Sequence, residues 1–246
     1  MLIGTVTQVN LYPVKSMQGI PVQQAQLWWY GLDGDRKAAF VRSDNQSHFP
    51  WLTGREYPDL VRYEAYFTDP KTPDTSPIRV KTRSGLDLAL DDPELLRDLS
   101  QKSGHPLHLM RLNRGVFDCM PVSVISQTLV QTLADSLKEA VDTRRFRANI
   151  VIDVEPSVRV ASDGGFPEAK WLNKTITFGN HETGAQVQAD YEDRRCAMIN
   201  IDPDTSERNP TILKKVAQLW DACAGIYGAT RRLGTVCVGD EVHLSD

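Results

Sequence analysis

The strongest constraint on the fold is a succession of short strand-like segments, separated by turn residues, along residues 1–90. Alternating apolar and polar side chains are typical of half-buried strands, and Gly, Pro and Asp mark the turns between them. The predicted strands are residues 2–9, 26–30, 37–41, 61–67, 78–82 and 86–90, the last two forming a hairpin. Many short strands of this kind favour a barrel or a sandwich.

Three later segments have the apolar spacing of amphipathic helices. The predicted helices begin after Asp91 or Asp92 and end at Gly104, begin at Ser126, and begin at Asn209-Pro210 and end at Gly225. Cys223 continues the apolar face of the third helix and is predicted to be core. Residues 234–244 are predicted to form a hairpin around Gly239-Asp240. We place a domain boundary in residues 104–118, where polar and turn residues cluster, which divides the chain into residues 1–105 and 106–246.

The stretch from Arg194 to Thr205 contains the strongest candidate for chemistry. Cys196 follows two arginines at the start of a short apolar run that is predicted to be a strand, and Asp202-Pro203-Asp204-Thr205 is predicted to be a turn. Neighbouring positive charge favours the thiolate, which attacks electrophiles or binds soft metals. The alternative is a small apolar residue at the start of a strand, because free cysteines are usually buried and inert.

Basic residues recur where strands meet turns. Arg144, Arg145 and Arg147 precede a predicted strand and suit an anion cradle, with a basic surface turn as the alternative. Lys15 and Arg36 also lie at strand or turn junctions, where solvated surface residues are the alternative. Ser126 is predicted to cap its helix, and a helix N-terminus can also bind an anion.

Composition excludes several classes of protein. The chain has 246 residues and a net charge of −4, without a long Lys/Arg run, so we expect no nucleic-acid partner. No apolar stretch approaches the ~20 residues of a membrane span and no signal peptide is recognisable, so a cytoplasmic location without membrane association is expected. The four cysteines are widely spaced, which indicates reduced thiols. Phosphate-binding glycine loops, dinucleotide fingerprints and nucleophile elbows are absent from the sequence.

Six short motifs, in this order, resemble those of the MOSC-domain family, in the two-part form in which an N-terminal MOSC-type β-barrel domain precedes the MOSC domain. They are Leu11 to Ser16, Gly31 to Arg36, Thr53-Gly54-Arg55, Phe146 to Ile152, Arg195-Cys196 with Asp202 to Thr205, and Val238-Gly239-Asp240. The resemblance covers nearly the whole chain and includes the mitochondrial amidoxime-reducing component and related bacterial reductases. It implies a mainly β (α+β) fold, with a β-barrel MOSC domain at residues 106–246, a smaller β-rich N-terminal domain at residues 1–105 and about three peripheral helices.

The resemblance also implies a molybdenum–molybdopterin cofactor. Cys196 matches the protein ligand of molybdenum and is the expected catalytic residue. The expected cofactor contacts are Lys15, Ser16, Arg36, Arg147, Asn149 and Arg195, with Ser126 and Tyr227 near further contact positions. The implied activity is two-electron removal of oxygen from a small N-hydroxylated substrate. Electrons would come from an external donor, such as ferredoxin, flavodoxin or a cytochrome b5-type reductase system, because the chain has no cysteine-rich extension.

The sequence departs from the family pattern at several positions. Ala148 replaces a frequent Pro, Ile199 and Asn200 replace a frequent Thr-Thr pair, and Gly54 stands where Ala is common. Two other functions remain open. Cys196 could instead carry a persulfide, in a non-catalytic molybdenum-cofactor or sulfur carrier. A cysteine hydrolase would need a histidine beside Cys196, and no spacing in the sequence assigns one.

Overall fold

The computed structural model describes residues 1–113, 117, 119–158 and 165–246. The described residues form sixteen strands and three α-helices. The strands are β1 (Leu2–Leu11), β2 (Ile20–Val22), β3 (Gln24–Trp28), β4 (Gly31–Leu32), β5 (Ala38–Arg42), β6 (Glu64–Phe67), β7 (Ile78–Lys81), β8 (Asp87–Ala89), β9 (Leu107–Arg111), β10 (Val122–Ser126), β11 (Ile150–Val154), β12 (Thr175–Phe178), β13 (Ala185–Arg194), β14 (Cys223–Arg232), β15 (Gly234–Cys237) and β16 (Glu241–Ser245). The helices are α1 (Pro93–Ser103), α2 (Gln127–Leu137) and α3 (Thr211–Trp220).

Seven strands close into a barrel. Their order is β11-β10-β14-β13-β12-β16-β1, and β1 also pairs with β11, which closes the sheet, while β2 extends it beyond β1. The barrel strands alternate buried and more exposed residues or, like β10, are buried throughout. Closure leaves the barrel strands without unpaired edges. The predicted mainly β fold, with a barrel and about three helices, is confirmed.

The helices begin and end where local residues dictate. The side chain of Asp92 accepts a hydrogen bond from the Glu94 N–H at the start of α1, and Gly104 ends that helix with a φ of 74°. Ser126 caps α2 in the same way, accepting from the Leu129 N–H. Both predicted helix starts are confirmed. Because α2 connects β10 to β11, these two strands can run parallel, as they do.

The N-terminal part contributes to two separate cores. β5 and β9, the sheet β6-β7-β8 and α1 surround one apolar cluster that includes Phe40, Tyr63 and Leu95. β1, however, lies in the barrel, where Gly4 pairs with Val154 and Leu2 with His243. β15 likewise pairs with β3. Backbone hydrogen bonds therefore join the two parts of the chain on both sides of the predicted boundary, and the division at residue 105 stays a prediction.

The prediction that Cys196 begins a strand is wrong. β13 ends at Arg194, and Ala197–Asn200 form a short 3-10 helix that follows Cys196. This turn buries Ile199 and Asn200, so the apolar run of the sequence serves helical packing. The predicted turn after it is confirmed, because the Asp202 carboxylate accepts from the N–H groups of Asp204 and Thr205.

The predicted end of the third helix is also wrong. α3 stops at Trp220, where Asp221 and Ala222 take left-handed conformations. Cys223 and Gly225 then lie in β14, although Cys223 is buried as predicted. The helix end was misplaced for two reasons. The apolar residues at the start of β14 continue the helical spacing of α3, and Gly225 has the positive φ that is common at helix ends.

Two further predictions about strands are wrong, one about a hairpin and one about the length of a strand. β15 and β16 flank Gly239-Asp240, but β15 pairs with β3 while β16 pairs with β12 and β1, so the predicted hairpin is absent from the pairings of the described residues. The predicted strand at residues 61–67 is shorter, because Pro58–Arg62 form a 3-10 helix before β6.

Among the described residues, no helix combines the length and apolarity needed to span a membrane.

Candidate functional site

A cavity of about 230 Å³ lies where the N-terminal part meets the barrel. It is lined by residues from the loops after β1, β4 and β5, from the segments that precede β10 and β11, and from segments around β13 and β14. Seven of the nine predicted site residues line it: Lys15, Ser16, Arg36, Arg147, Arg195, Cys196 and Tyr227. The fold therefore brings together positions that are up to 212 residues apart in the sequence, from Lys15 to Tyr227.

Cys196 lies at an exposed edge of this cavity. It sits between the end of β13 and the 3-10 turn, with an extended backbone. Among the residues that the structure describes, no group of three or more His, Cys, Asp and Glu side chains could hold a metal ion. A metal at Cys196 would therefore take its remaining ligands from a cofactor or from water.

Arg195 is held rigidly beside this thiol, and its side chain is 7% exposed. Its Nε donates to the Ala224 carbonyl (2.6 Å), and its Nη1 donates to the Phe146 carbonyl (2.8 Å) and pairs with Asp193 (2.8 Å). Its Nη2 is buried and has no hydrogen-bond partner among the described residues. A buried donor left in this state is costly, so it marks a place for a ligand acceptor.

Arg36 and Arg147 approach Tyr12 together. Their guanidinium carbons lie 5.0 Å and 4.4 Å from the centroid of its ring. Arg36 Nη1 pairs with Asp35 (3.0 Å), and its Nη2 donates to the Arg147 carbonyl (2.7 Å). Arg147 Nη1 donates to the Met17 carbonyl (2.7 Å). These contacts fix two positive charges in the wall of the cavity.

Three cavity residues other than glycine have left-handed backbones: Ser16 (φ 66°), Arg36 (φ 43°) and Arg147 (φ 53°). Such a conformation costs on the order of 1–3 kcal/mol at each residue and persists only where the surroundings hold it. Because the three residues come from three different loops, their convergence on one cavity indicates that the cavity is a functional site.

Lys15 and Tyr227 complete the predicted set within the cavity. The Lys15 ammonium donates to the Phe117 carbonyl and lies 5.7 Å from the centroid of the Phe49 ring. Tyr227 is 8% exposed and stacks edge-on against Tyr191, with 6.0 Å between ring centroids.

The other two predicted residues, Asn149 and Ser126, lie behind the cavity wall. Asn149 is fully buried, and its Oδ1 accepts from Arg36 Nη1 and from the N–H and hydroxyl of Ser123, each at 3.1 Å. In this structure it therefore positions Arg36 and does not line the cavity. Ser126 is also fully buried, with its hydroxyl capping α2.

Glu168 is a buried carboxyl that the sequence did not reveal. Its Oε1 accepts from the Ser126 N–H, while its Oε2 has no hydrogen-bond partner among the described residues. Burial raises the pKa of Glu168 to about 7, although hydrogen bonds from Ser126 and the charge of Arg195 act to lower it. No motif in the sequence marks this position.

The cavity is strongly positive. Among the described residues, its lining contains seven cationic side chains and one carboxylate, Asp193. Arg145, one of the arginines of the predicted anion cradle, lies in this lining, together with Arg55 and Arg194, to which the sequence assigned no ligand role. Arg145 Nε is buried and has no hydrogen-bond partner among the described residues. This charge balance suits an anionic ligand such as a phosphate.

The side chains next to residue 54 explain why a glycine stands at this position. A Cβ on Gly54 would lie 2.9 Å from Ile201 Cδ1 and 3.0 Å from Met198 Sδ. The glycine therefore makes room for Met198, which lines the cavity two residues after Cys196. Met198, Arg145 and Arg147 also line a second cavity of about 430 Å³.

The five histidines are all described, and none of them lines the Cys196 cavity.

The closed barrel and the cationic cavity with a thiol at its edge define a β-barrel protein whose site is suited to an anion. Residues 107–243 match the family described as MOSC domain, and residues 3–111 match the family described as MOSC N-terminal beta barrel domain. The chain belongs to the MOSC domain family.

Known proteins of similar sequence include mitochondrial amidoxime reducing component 2 of Bos taurus, which is 23% identical over 98% of this chain and 83% of its own length. Mitochondrial amidoxime-reducing component 1 of Homo sapiens is 25% identical over the same shares. Molybdenum cofactor sulfurase of Drosophila pseudoobscura pseudoobscura is 31% identical, over 64% of this chain and 18% of its own length. Among solved structures, the YUAD protein of Bacillus subtilis aligns with a TM-score of 0.52 and 13% identity, over 99% of this chain and 96% of that chain, which shows a shared fold.

Proposed function

We propose that this protein is a molybdenum-cofactor-dependent oxidoreductase that removes oxygen from N-hydroxylated compounds. The overall reaction consumes two electrons and two protons, and converts an N–OH group to N–H and water. The names of the amidoxime-reducing relatives support the substrate class, and the name of the sulfurase relative supports the cofactor. When bound, the cofactor would supply the two-electron redox chemistry.

The residues of the cavity fit this cofactor. Cys196 offers one soft thiolate ligand at an exposed edge, as a molybdenum centre with a dithiolene would need. Arg36, Arg147 and Arg195 would attract the phosphate of the pterin through their positive charges, and the Nη2 of Arg195 would donate to it. Lys15, Ser16 and Tyr227 would add polar contacts, while Asn149 would hold Arg36 in place.

The single observation that carries the proposal is the buried Nη2 of Arg195. It belongs to Arg195, which precedes Cys196 and lines the cavity, and it has no acceptor among the described residues. The rest of that guanidinium is fixed by two carbonyls and Asp193. An anion bound here would satisfy the donor and would lie beside the thiol.

Metal analysis of Cys196→Ala tests the proposal. Protein made in a host that synthesises the cofactor is expected to carry about one molybdenum per chain, and the variant to lose it, because the thiolate is the expected ligand from this chain. With a chemical electron donor, the loaded protein should reduce benzamidoxime to benzamidine, measured by chromatography. Cys223→Ala, which removes a cysteine outside the cavity lining, is the matched control. Equal molybdenum content in Cys196→Ala and the control would contradict the proposal.

A carrier of molybdenum cofactor or of sulfur is the second candidate, because Cys196 is exposed and could hold a persulfide. Mass spectrometry distinguishes the two. A persulfide adds about 32 Da to the Cys196 peptide, one sulfur atom, and a carrier would show it without turnover of benzamidoxime. An external electron donor and a cytoplasmic location remain part of the proposal for the reductase.

A further inference from the structure

The cavity has a buried floor and an exposed rim. The floor includes Arg36 and Arg195, whose side chains are 4% and 7% exposed. The rim consists of Phe49, Arg55, Arg194 and Cys196, which are all exposed. Arg36 and Arg195 on the floor are hydrogen-bonded to carboxylates and backbone carbonyls. Arg55 and Arg194 on the rim are exposed to solvent.

Neighbouring residues orient the side chain of Arg55. Its guanidinium carbon lies 4.7 Å from the centroid of the Phe49 ring, and its Nε donates to Thr53 Oγ1 at 3.3 Å. Its own carbonyl accepts from Arg208 at 2.6 Å, which fixes the backbone. Among the described residues it forms no ion pair with a carboxylate, so its terminal N–H groups are available to a ligand. Stacking on an aromatic ring orients a guanidinium while leaving its edge exposed.

Arg194 adds a second available charge. Its Nη1 lies 3.6 Å from Asp221 Oδ2, but the two side chains are 69% and 94% exposed. An ion pair so open to water is screened and holds its partners weakly. Arg194 also precedes Arg195 and Cys196 directly, so its charge lies next to the predicted reaction centre.

We propose that this rim makes the protein select substrates that carry a carboxylate on a planar ring, in addition to the N-hydroxylated group. The ring would pack against Phe49, and the carboxylate would accept hydrogen bonds from Arg55, with Arg194 adding attraction. This inference rests on the proposed function, but Phe49, Arg55 and Arg194 are outside the set of residues to which the proposed function gives a cofactor contact. A chain of net charge −4 would otherwise attract such anions poorly.

Two substrates of nearly equal size test the rim: 4-carboxybenzamidoxime and its neutral 4-carboxamide. In the molybdenum-loaded protein, kcat/KM should favour the carboxylate by about tenfold, mainly through KM, and the preference should fade as salt is added. Arg55→Gln should bring the ratio close to one. Arg111→Gln, which removes an exposed arginine paired with Asp91 outside the cavity lining, should keep the ratio of the unmodified protein.

Binding of benzoate to the loaded protein, measured by calorimetry, gives a second readout that needs no turnover. The dissociation constant should rise about fivefold in Arg55→Gln and stay constant in Arg111→Gln. If neither amidoxime is reduced but benzoate binding depends on Arg55, the proposed function fails and the anion-selective rim stands. If both amidoximes are reduced with a ratio that Arg55→Gln does not change, the rim inference is overturned while the proposed function survives. Loss of molybdenum from Arg55→Gln would assign Arg55 to the cofactor and overturn the inference as well.

Discussion

Buried charges near the cavity are compensated residue by residue, with one exception. Asp35 pairs with Arg36 and Asp193 pairs with Arg195, so each of these arginines keeps its position when no ligand is bound. Among the residues that the structure describes, Glu168 has no such partner within ion-pair distance, and one of its oxygens has no hydrogen bond. A carboxyl in this setting is stable mainly in its neutral form.

Glu168 should therefore make stability depend on pH. Its ordinary pKa is 4.5 and burial raises the pKa to about 7. The unfolded chain releases this proton first, so the contribution of Glu168 is fully present below pH 4.5 and is lost as the pH rises through 7. The loss amounts to about 3 kcal/mol at pH 8. Glu168→Gln keeps an acceptor for the Ser126 N–H but does not titrate, so its free energy of unfolding should fall less between pH 5 and pH 8.

Urea unfolding at the two pH values measures this difference. Glu94→Gln, which removes an exposed carboxylate from the first turn of α1, should retain the pH dependence of the unmodified protein. Equal changes in Glu168→Gln and Glu94→Gln would contradict the interpretation of Glu168.

Among the secondary-structure elements, β14 supports the site from below. Gly225 has a φ of 79°, and a Cβ there would lie 2.6 Å from the Val124 carbonyl oxygen and 3.1 Å from Arg195 Nη2. The backbone of β14 therefore passes so close to the Arg195 guanidinium group that a residue without a Cβ is needed at position 225. β13 supplies Asp193, and Arg195 follows its end, so two paired strands of ten residues each fix this charge together.

Gly225→Ala should destabilise the protein by roughly 2–4 kcal/mol, because it combines an unfavourable backbone conformation with a collision against a carbonyl. It should also displace Arg195 and lower molybdenum content. Gly85→Ala is the matched control, since Gly85 has a φ of 87° and nothing lies within 4 Å of its added Cβ. Denaturant unfolding and metal analysis of both variants separate the collision from the conformational cost. Similar losses in the two variants would argue against a collision at Gly225.

The sequence predicts local features of these elements better than their partners. Asp92, Gly104 and Ser126 act through neighbours a few residues away, so the helix ends that they form could be predicted. The positive φ of Gly225 could also be expected, but not its place in a strand, because that depends on pairing with β10 and β13. Lys15, Arg36, Arg147 and Arg195 were found by resemblance to a family. Arg55 and Glu168 acquire their roles from contacts that no sequence spacing encodes.

At the scale of the whole molecule, β1 ties the two parts of the chain together. Its partners β11 and β16 lie more than 130 residues further along the sequence, and β15 reaches back to β3. Residues 106–246 alone would lack one of the seven barrel strands, which exposes two sheet edges and the apolar side chains that Ile3, Val6 and Val9 cover.

Expression of residues 1–105 and 106–246 as separate chains tests this dependence. Neither fragment alone should show a cooperative thermal transition, while co-expressed fragments should associate and restore one, because the ladders of β1 and β3 then form between chains. Calorimetry and co-purification measure both outcomes. A cooperative transition from residues 106–246 alone, at the temperature of the intact protein, would show that the barrel closes without β1.

The position of β1 also has a consequence for how the protein is made. Leu11 and Glu241 are 230 residues apart, so at roughly 5–20 residues per second a ribosome finishes β1 about 10–50 s before it reaches β16. During that interval β2 and later β11 can pair with the first strand, but the edge that β16 covers stays open to aggregation or to a chaperone. Arg195 and Tyr227 also emerge late. Loading of the proposed cofactor would therefore have to wait until these residues of the cavity have been made.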